Sequence, residues 1–196
     1  MAETNDEFVA AYFQRSLVSL ERALSDAAMQ AAIVAIADRI EWSFRAGGRL
    51  LIAGSGTSAA DAQKIAAEFV SRAGLDNAPL PALALTSDGA VLNAIADGAG
   101  FEHVYERQVR AFGRRVDILL VFSVSGRSPP ILAALQAARQ IGLMRIGFTG
   151  LNRGAVDELC DYCVQAPVDE ASLVQQIHLN AALAVCGLVE RALSGK

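Results

Sequence analysis

Apolar residues recur at helical spacing near the start of the chain: Val9, Phe13, Leu17, Leu20 and Leu24 fall on one stripe. The same rhythm runs over 28–44 and ends at Gly47-Gly48. These positions predict two helices ahead of any strand. Then the period changes. Leu50-Leu51-Ile52-Ala53 is a short apolar run closed by Gly54-Ser55-Gly56-Thr57-Ser58, and a helix is expected over 59–72. Leu83-Ala84-Leu85 reads as a second strand, and Thr86-Ser87-Asp88 as the cap of another helix. A polar, glycine-rich stretch over 97–100 leads into a helix over 101–112. Residues 117–122 form the most hydrophobic strand, which runs into Ser123-Val124-Ser125-Gly126-Arg127-Ser128. A helix over 129–141 has proline in its first turn. Strands over 145–148 and 163–165 follow, and a final helix covers 170–193.

Strands alternating with helices imply an α/β fold with a parallel sheet covered on both faces. The strand segments are continuous apolar runs, as strands buried on both sides should be. Ligands in such sheets sit at the carboxyl ends of the strands. No repeat, linker or low-complexity segment divides the 196 residues, so 1–196 is read as one domain, with 1–47 as an N-terminal helical pair.

Composition narrows the chemistry. The net charge is −4 and no basic stripe is visible, which argues against direct nucleic-acid binding. No segment reaches the roughly 18 consecutive apolar residues of a membrane span. The first eight residues carry Glu3, Asp6 and Glu7 and no basic cluster, unlike a signal peptide. The cysteine count, three, is odd and suits a reducing compartment, so a cytoplasmic location is expected. Cys160 and Cys163 form a CxxC, read as two half-buried thiols because structural zinc takes four ligands.

Two strands end in small, hydroxyl-rich loops that open helices, 54–58 and 123–128. Unpaired backbone N–H groups and serine hydroxyls at a helix N-terminus make an anion site. Neither loop is a GxxxxGK[ST] phosphate loop, and Ala59 stands where a dinucleotide GxGxxG needs its third glycine. ATP and NAD are therefore disfavoured.

Ser123-x-Ser125-Gly126-x-Ser128 after a buried strand resembles the phosphate loop of SIS (sugar-isomerase) domains. Residues 54–63, then Ala66-Ala67-Glu68-Phe69, are similar to the first sugar-binding segment of phosphoheptose isomerases. Phe101-Glu102-His103-Val104, Arg107-Gln108-Val109 and Gln175-x-x-His178 also resemble that family. The resemblance implies a three-layer α/β/α sandwich with a flavodoxin-like parallel sheet, assembled as a cytoplasmic homotetramer with sites at subunit interfaces. It implies an aldose–ketose isomerisation of sedoheptulose 7-phosphate through an enediol, early in lipopolysaccharide heptose biosynthesis. Carried over, Ser123, Ser125, Gly126 and Ser128 hold the phosphate, with Arg127 adding charge. Ser55, Gly56, Thr57 and Asp97 line the sugar, Glu68 is the catalytic carboxylate and Gln175 contacts the reacting end.

The sequence also departs from the family. Lys64 and Leu183 stand where its isomerases carry the histidines that, with the glutamate and glutamine, can bind zinc. No metal or other cofactor is therefore expected. His178 does not replace the residue at 183, because five residues turn about 140° around a helix. It is read as a helix histidine bonded to a neighbour, as is His103. The Gly-Thr-Ser-Ala-Ala form of the first loop is shared with a branch that binds the replication initiator DnaA. Two readings follow: an isomerase using Glu68 with Lys64 in place of a metal, or a non-catalytic phosphosugar sensor or protein-binding tetramer.

Overall fold

The structure is a computed structural model that describes residues 4–71 and 78–194. The chain opens with α1 (Asn5–Ser25) and α2 (Ala27–Arg45). A capping box starts α1: Glu7 N–H donates to the Thr4 hydroxyl, and Thr4 N–H donates to the Glu7 carboxylate at 2.8 Å. Asp26 ends α1 and caps α2, accepting from Met29 N–H at 2.9 Å. Alternation follows: β1 (Leu50–Gly54), α3 (Ser58–Ser71), β2 (Ala82–Ala84), α4 (Gly89–Ala99), α5 (Val104–Phe112), β3 (Ile118–Ser123) and α6 (Pro129–Ile141). The chain continues through β4 (Met144–Thr149), α7 (Ala155–Leu159), β5 (Tyr162–Gln165) and α8 (Ala171–Ser194).

The strands pair in the order β2-β1-β3-β4-β5, all parallel. This is the flavodoxin-like order, as expected. Successive strand residues face opposite layers. Leu50, Ile52, Leu120, Phe122 and Phe148 join one core with α2, α3 and α8. Leu51, Ala53, Leu119 and Val121 join another with α5 and α6. Both faces are buried, which explains the continuous apolar runs. At 24 residues α8 is long and apolar enough to cross a membrane, yet half of its most apolar window is buried in the protein, as in a core helix.

Several details differ from expectation. The segment 101–112 is not one helix: a 3₁₀ turn, Phe101–His103, precedes α5. Asp97 lies within α4 rather than in a loop. Asp117 precedes β3; its buried carboxylate accepts from the backbone N–H of Arg49 and Arg114, each at 2.9 Å. The short α7 was not foreseen. It turns because the Asp157 carboxylate accepts from Gly154 N–H at 2.7 Å, while Val156 anchors it in the core. Arg72, the expected end of α3, falls outside the described residues.

Candidate functional site

β1 and β3 are neighbours in the sheet, and the chain leaves them toward opposite edges. Their carboxyl ends therefore border the switch-point crevice, where ligands of open α/β sheets bind. Both hydroxyl-rich loops open there.

The first loop turns tightly. A Cβ at Gly54 would lie 2.0 Å from the Ser58 carbonyl oxygen, so α3 can start this close to β1 with glycine alone. The buried Tyr105 hydroxyl donates to the Gly54 carbonyl at 2.7 Å. Burial raises its pKa, which keeps the donor protonated. In the second loop Gly126 takes φ +64, its N–H returns to the Ser123 carbonyl at 3.1 Å, and Ser125 Oγ accepts from Arg127 N–H. Here the structure refines the anion-site expectation. The first turn of α6 begins Pro129-Pro130, which have no N–H to offer. The helix start therefore offers fewer amides, and the loop amides, the serines and the Arg127 guanidinium are left to meet an anion. Ser128 stands at the N-cap of α6, but its hydroxyl does not cap. It donates across to Ser55 Oγ at 2.7 Å and ties the two loops together. Among the described residues the buried Ser123 Oγ has no hydrogen-bond partner. A buried orphan hydroxyl is costly, and a ligand oxygen here would satisfy it.

Gln175 brings α8 to the first loop. Its Oε1 accepts from the Thr57 hydroxyl at 3.1 Å, and its Nε2 donates to Ser58 Oγ at 3.3 Å and Asp61 Oδ2 at 3.4 Å. Burial raises the Asp61 pKa, and the Gln175 hydrogen bond opposes that rise. Asp61 was not singled out in the sequence. Its spacing of seven residues from Glu68, which puts both on one helix face, was the available signal.

Lys64 and Glu68 continue that face. Lys64 Nζ donates to Glu68 Oε1 across one turn, with side chains 52% and 36% exposed. At 1.5 Å per residue Glu68 lies about 10 Å along α3 from Asp61. Asp97 is separate: it lies exposed on α4, in the layer across the sheet from α3 and α8. No hydrogen bond joins it to either loop among the described residues.

The positions of the family's metal ligands do not fit zinc. They offer Lys64, already paired to Glu68, then Glu68, Gln175 and the aliphatic Leu183. His178 supplies no substitute. It is fully buried, its Nε2–H donates to the Thr149 carbonyl at 2.9 Å, and its ring contacts those of Phe122 and Phe148. Burial pushes its pKa down to about 4. His103 pairs with Glu106 at 2.6 Å.

A cavity of about 510 Å³ opens beside the second loop, lined by Ser125, Arg127, Asn152, Arg153 and Asp169 among others. Neither arginine is in a salt bridge among the described residues. Asn152 and Arg153 were missed in the sequence. They follow β4, and the rule that ligands sit at strand carboxyl ends applies to that loop as well.

Residues 11–150 match the SIS domain family. A phosphoheptose isomerase of a Bradyrhizobium strain is 47% identical over 193 residues, covering 98% of each chain. One from Burkholderia pseudomallei is 42% identical over 189 residues, covering 94% of this chain and 96% of its own. Among solved structures, a phosphoheptose isomerase from Francisella tularensis superposes with a TM-score of 0.92 at 29% identity, covering 96% of this chain and 99% of its own. One from Neisseria gonorrhoeae gives 0.89 at 32% identity, covering 95% and 99%.

Proposed function

Because the chain belongs to the SIS domain family, where its full-length relatives carry the name phosphoheptose isomerase, we propose that it is a sugar-phosphate isomerase interconverting an aldose and a ketose. Sedoheptulose 7-phosphate is the substrate to try first. The observation that carries the reading is the joined pair of loops at the switch point, bridged by Ser128–Ser55 and braced by Gln175.

In this reading the phosphate sits against Ser123, Ser125, Gly126 and Ser128, where the orphaned Ser123 hydroxyl finds a partner and Arg127 adds a guanidinium. The sugar runs past Ser55, Gly56 and Thr57 toward α3. Glu68 takes the proton from the carbon beside the carbonyl and returns it to the neighbouring carbon. The Lys64 ammonium, held one helical turn away, stabilises the enediolate oxygen. Gln175 orients the reacting end from its anchor on Thr57 and Asp61.

Lys64 and Glu68 stand at the surface of this subunit, and water there would compete for the enediol. A neighbouring subunit closing over α3 is the simplest remedy, so we place the protein in a homotetramer. The exposed stripe of Phe13, Leu17 and Leu24 on α1 supports assembly, at 70%, 50% and 73% exposure. A cytoplasmic role in heptose supply for lipopolysaccharide follows from the same reading.

The test is an NMR-detected isomerisation of sedoheptulose 7-phosphate, with added zinc and with chelator. Turnover that survives the chelator and disappears in Lys64→Ala is expected. Saturable binding without turnover under every condition would replace the isomerase with a phosphosugar sensor.

A further inference from the structure

Cys160 and Cys163 share a recess over β4. Cys160 is the residue at which α7 ends, and Cys163 lies in β5 opposite Gly147. A Cβ on Gly147 would meet the Cys160 sulfur at 2.9 Å and the Cys163 sulfur at 3.2 Å, so both thiols occupy space that a glycine leaves open. The two thiols interact across it. Both are partly exposed, and both line a cavity of about 320 Å³ that Asp26 and Met29 at the start of α2 also line. The pair is asymmetric. The interaction with Cys163 keeps the proton on Cys160, whose pKa is driven up, first by that neighbouring thiol and then by burial. The same interaction lowers the pKa of Cys163, helped by the Gly147 backbone and the Arg153 charge against burial and the Asp157 carboxylate. An attacking thiol beside a protonated partner is the arrangement thiol–disulfide exchange uses.

The recess is wired to the phosphate loop. Val156 N–H of α7 donates to the Gly126 carbonyl at 3.0 Å. A Cβ on Gly154 would lie 2.4 Å from that same oxygen, so the backbones touch. Asp157 accepts from the Thr149 hydroxyl at 2.8 Å and holds the start of α7. Cys163 is fixed in the sheet, whereas Cys160 ends a helix of five residues. Drawing the sulfurs to covalent distance therefore moves α7, and with it the brace under Gly126.

We propose that Cys160 and Cys163 are a dithiol that low-molecular-weight disulfides of the glutathione type oxidise to an internal disulfide, loosening the phosphate loop through α7. The Cys163 thiolate attacks one sulfur of the small disulfide, forming a mixed disulfide and expelling a thiolate. Cys160 then loses its proton to that thiolate and attacks the Cys163 sulfur, expelling the second small thiol. The protein dithiol is oxidised, and one small disulfide becomes two thiols. The thiol chemistry is independent of the isomerase reading; its consequence for sugar-phosphate binding rests on that reading.

The test exposes the full-length protein to oxidised glutathione and maps the cysteines by peptide mass spectrometry. A Cys160–Cys163 linkage that dithiothreitol reverses is expected. Cys160→Ser should retain a glutathione adduct on Cys163, and Cys163→Ser should form none at Cys160. Cys186 is buried, with its thiol pushed up to about 12, and should stay reduced throughout. Absence of the linkage, or adducts spread evenly over the cysteines, overturns the proposal. Hydrogen exchange then reads the coupling without any ligand. Amides of 124–127 should exchange severalfold faster in the oxidised protein and recover on reduction. Unchanged exchange with the disulfide formed overturns the link to the loop. If the loop responds but sedoheptulose 7-phosphate never binds, it is the isomerase reading that fails.

Discussion

At the N-terminus of α3, Gly54, Thr57, Ser58 and Asp61 are tied to Tyr105 and Gln175, and Ser55 is tied to Ser128 in the second loop. Two turns further along the same helix, Lys64 and Glu68 pair with each other at the surface. The first end is a preorganised grip whose polar groups are aimed by neighbours in the same chain. The second is a flexible ion pair of a kind worth little to folding. In the proposed reading, binding is assembled within one subunit, whereas chemistry at Glu68 would need a wall that this subunit does not supply. A protein of this build can lose turnover and keep its ligand, or lose its ligand and keep its fold, through changes at opposite ends of one helix.

The sharpest way to break this contrast is Glu68→Gln. It keeps shape and removes the proposed base, so turnover should fall by roughly 10²–10⁴-fold, the range for removal of a positioned base. Affinity for the sugar phosphate should change little, because the grip lies about 10 Å away along the helix. Kinetics beside calorimetric binding decide it. Equal losses in both would mean that Glu68 belongs to the grip.

Gly54→Ala attacks the other end. The added methyl meets backbone at 2.0 Å, and backbone cannot swing aside as a long side chain can. Destabilisation of about 3–4 kcal/mol is expected, at the upper end for overpacking. Urea unfolding would measure it, with sugar-phosphate binding lost in any protein that still folds. A variant as stable as the wild type would show that α3 can slide away from β1.

Much of this was legible in the chain. The element order follows from apolar runs of strand length between amphipathic segments, and the switch-point site from two hydroxyl-rich loops after strands. What escaped was set by tertiary context. The α7 helix is too short to show a period, and it exists because Asp157, Gly154 and Val156 find partners in the fold. The Pro129-Pro130 pair signalled a helix start correctly, but its lack of N–H groups altered how the loop can hold an anion. Glu68 has apolar sequence neighbours, yet Ile65 and Phe69 turn inward and leave it half-exposed. Asp97 was assigned by resemblance and lies in the opposite helix layer.

Acid should distinguish the two ends next. His178 lies beneath the grip, bonded to the last residue of β4, and is held neutral by burial with its pKa near 4. In the unfolded chain a histidine titrates near 6.5. Between these values the unfolded state binds the extra proton, so stability falls as pH drops from about 6.5 toward 4. The full loss is on the order of 3 kcal/mol for such a shift. Unfolding midpoints across that window should decline in the wild type and flatten in His178→Gln, whose amide can still donate to the Thr149 carbonyl. An equal slope in both would assign the acid sensitivity to the carboxylates instead.

The smallest expected effect probes the joint between the loops. Ser128→Ala removes the donor to Ser55 Oγ, a neutral hydrogen bond of 2.7 Å in a half-buried place. Such a bond contributes about 1 kcal/mol, so the unfolding midpoint should scarcely move. The ligand should feel it more, since the loops lose their tie and the phosphate loses a hydroxyl. A drop in affinity of roughly tenfold corresponds to about 1.4 kcal/mol. Turnover at saturating substrate should hold, because Lys64 and Glu68 are untouched. A rise in KM with constant kcat is the signature of a group that binds ground state and transition state alike. If kcat falls as well, the tie between the loops also sets the geometry at Glu68, and the two ends of α3 work as one site.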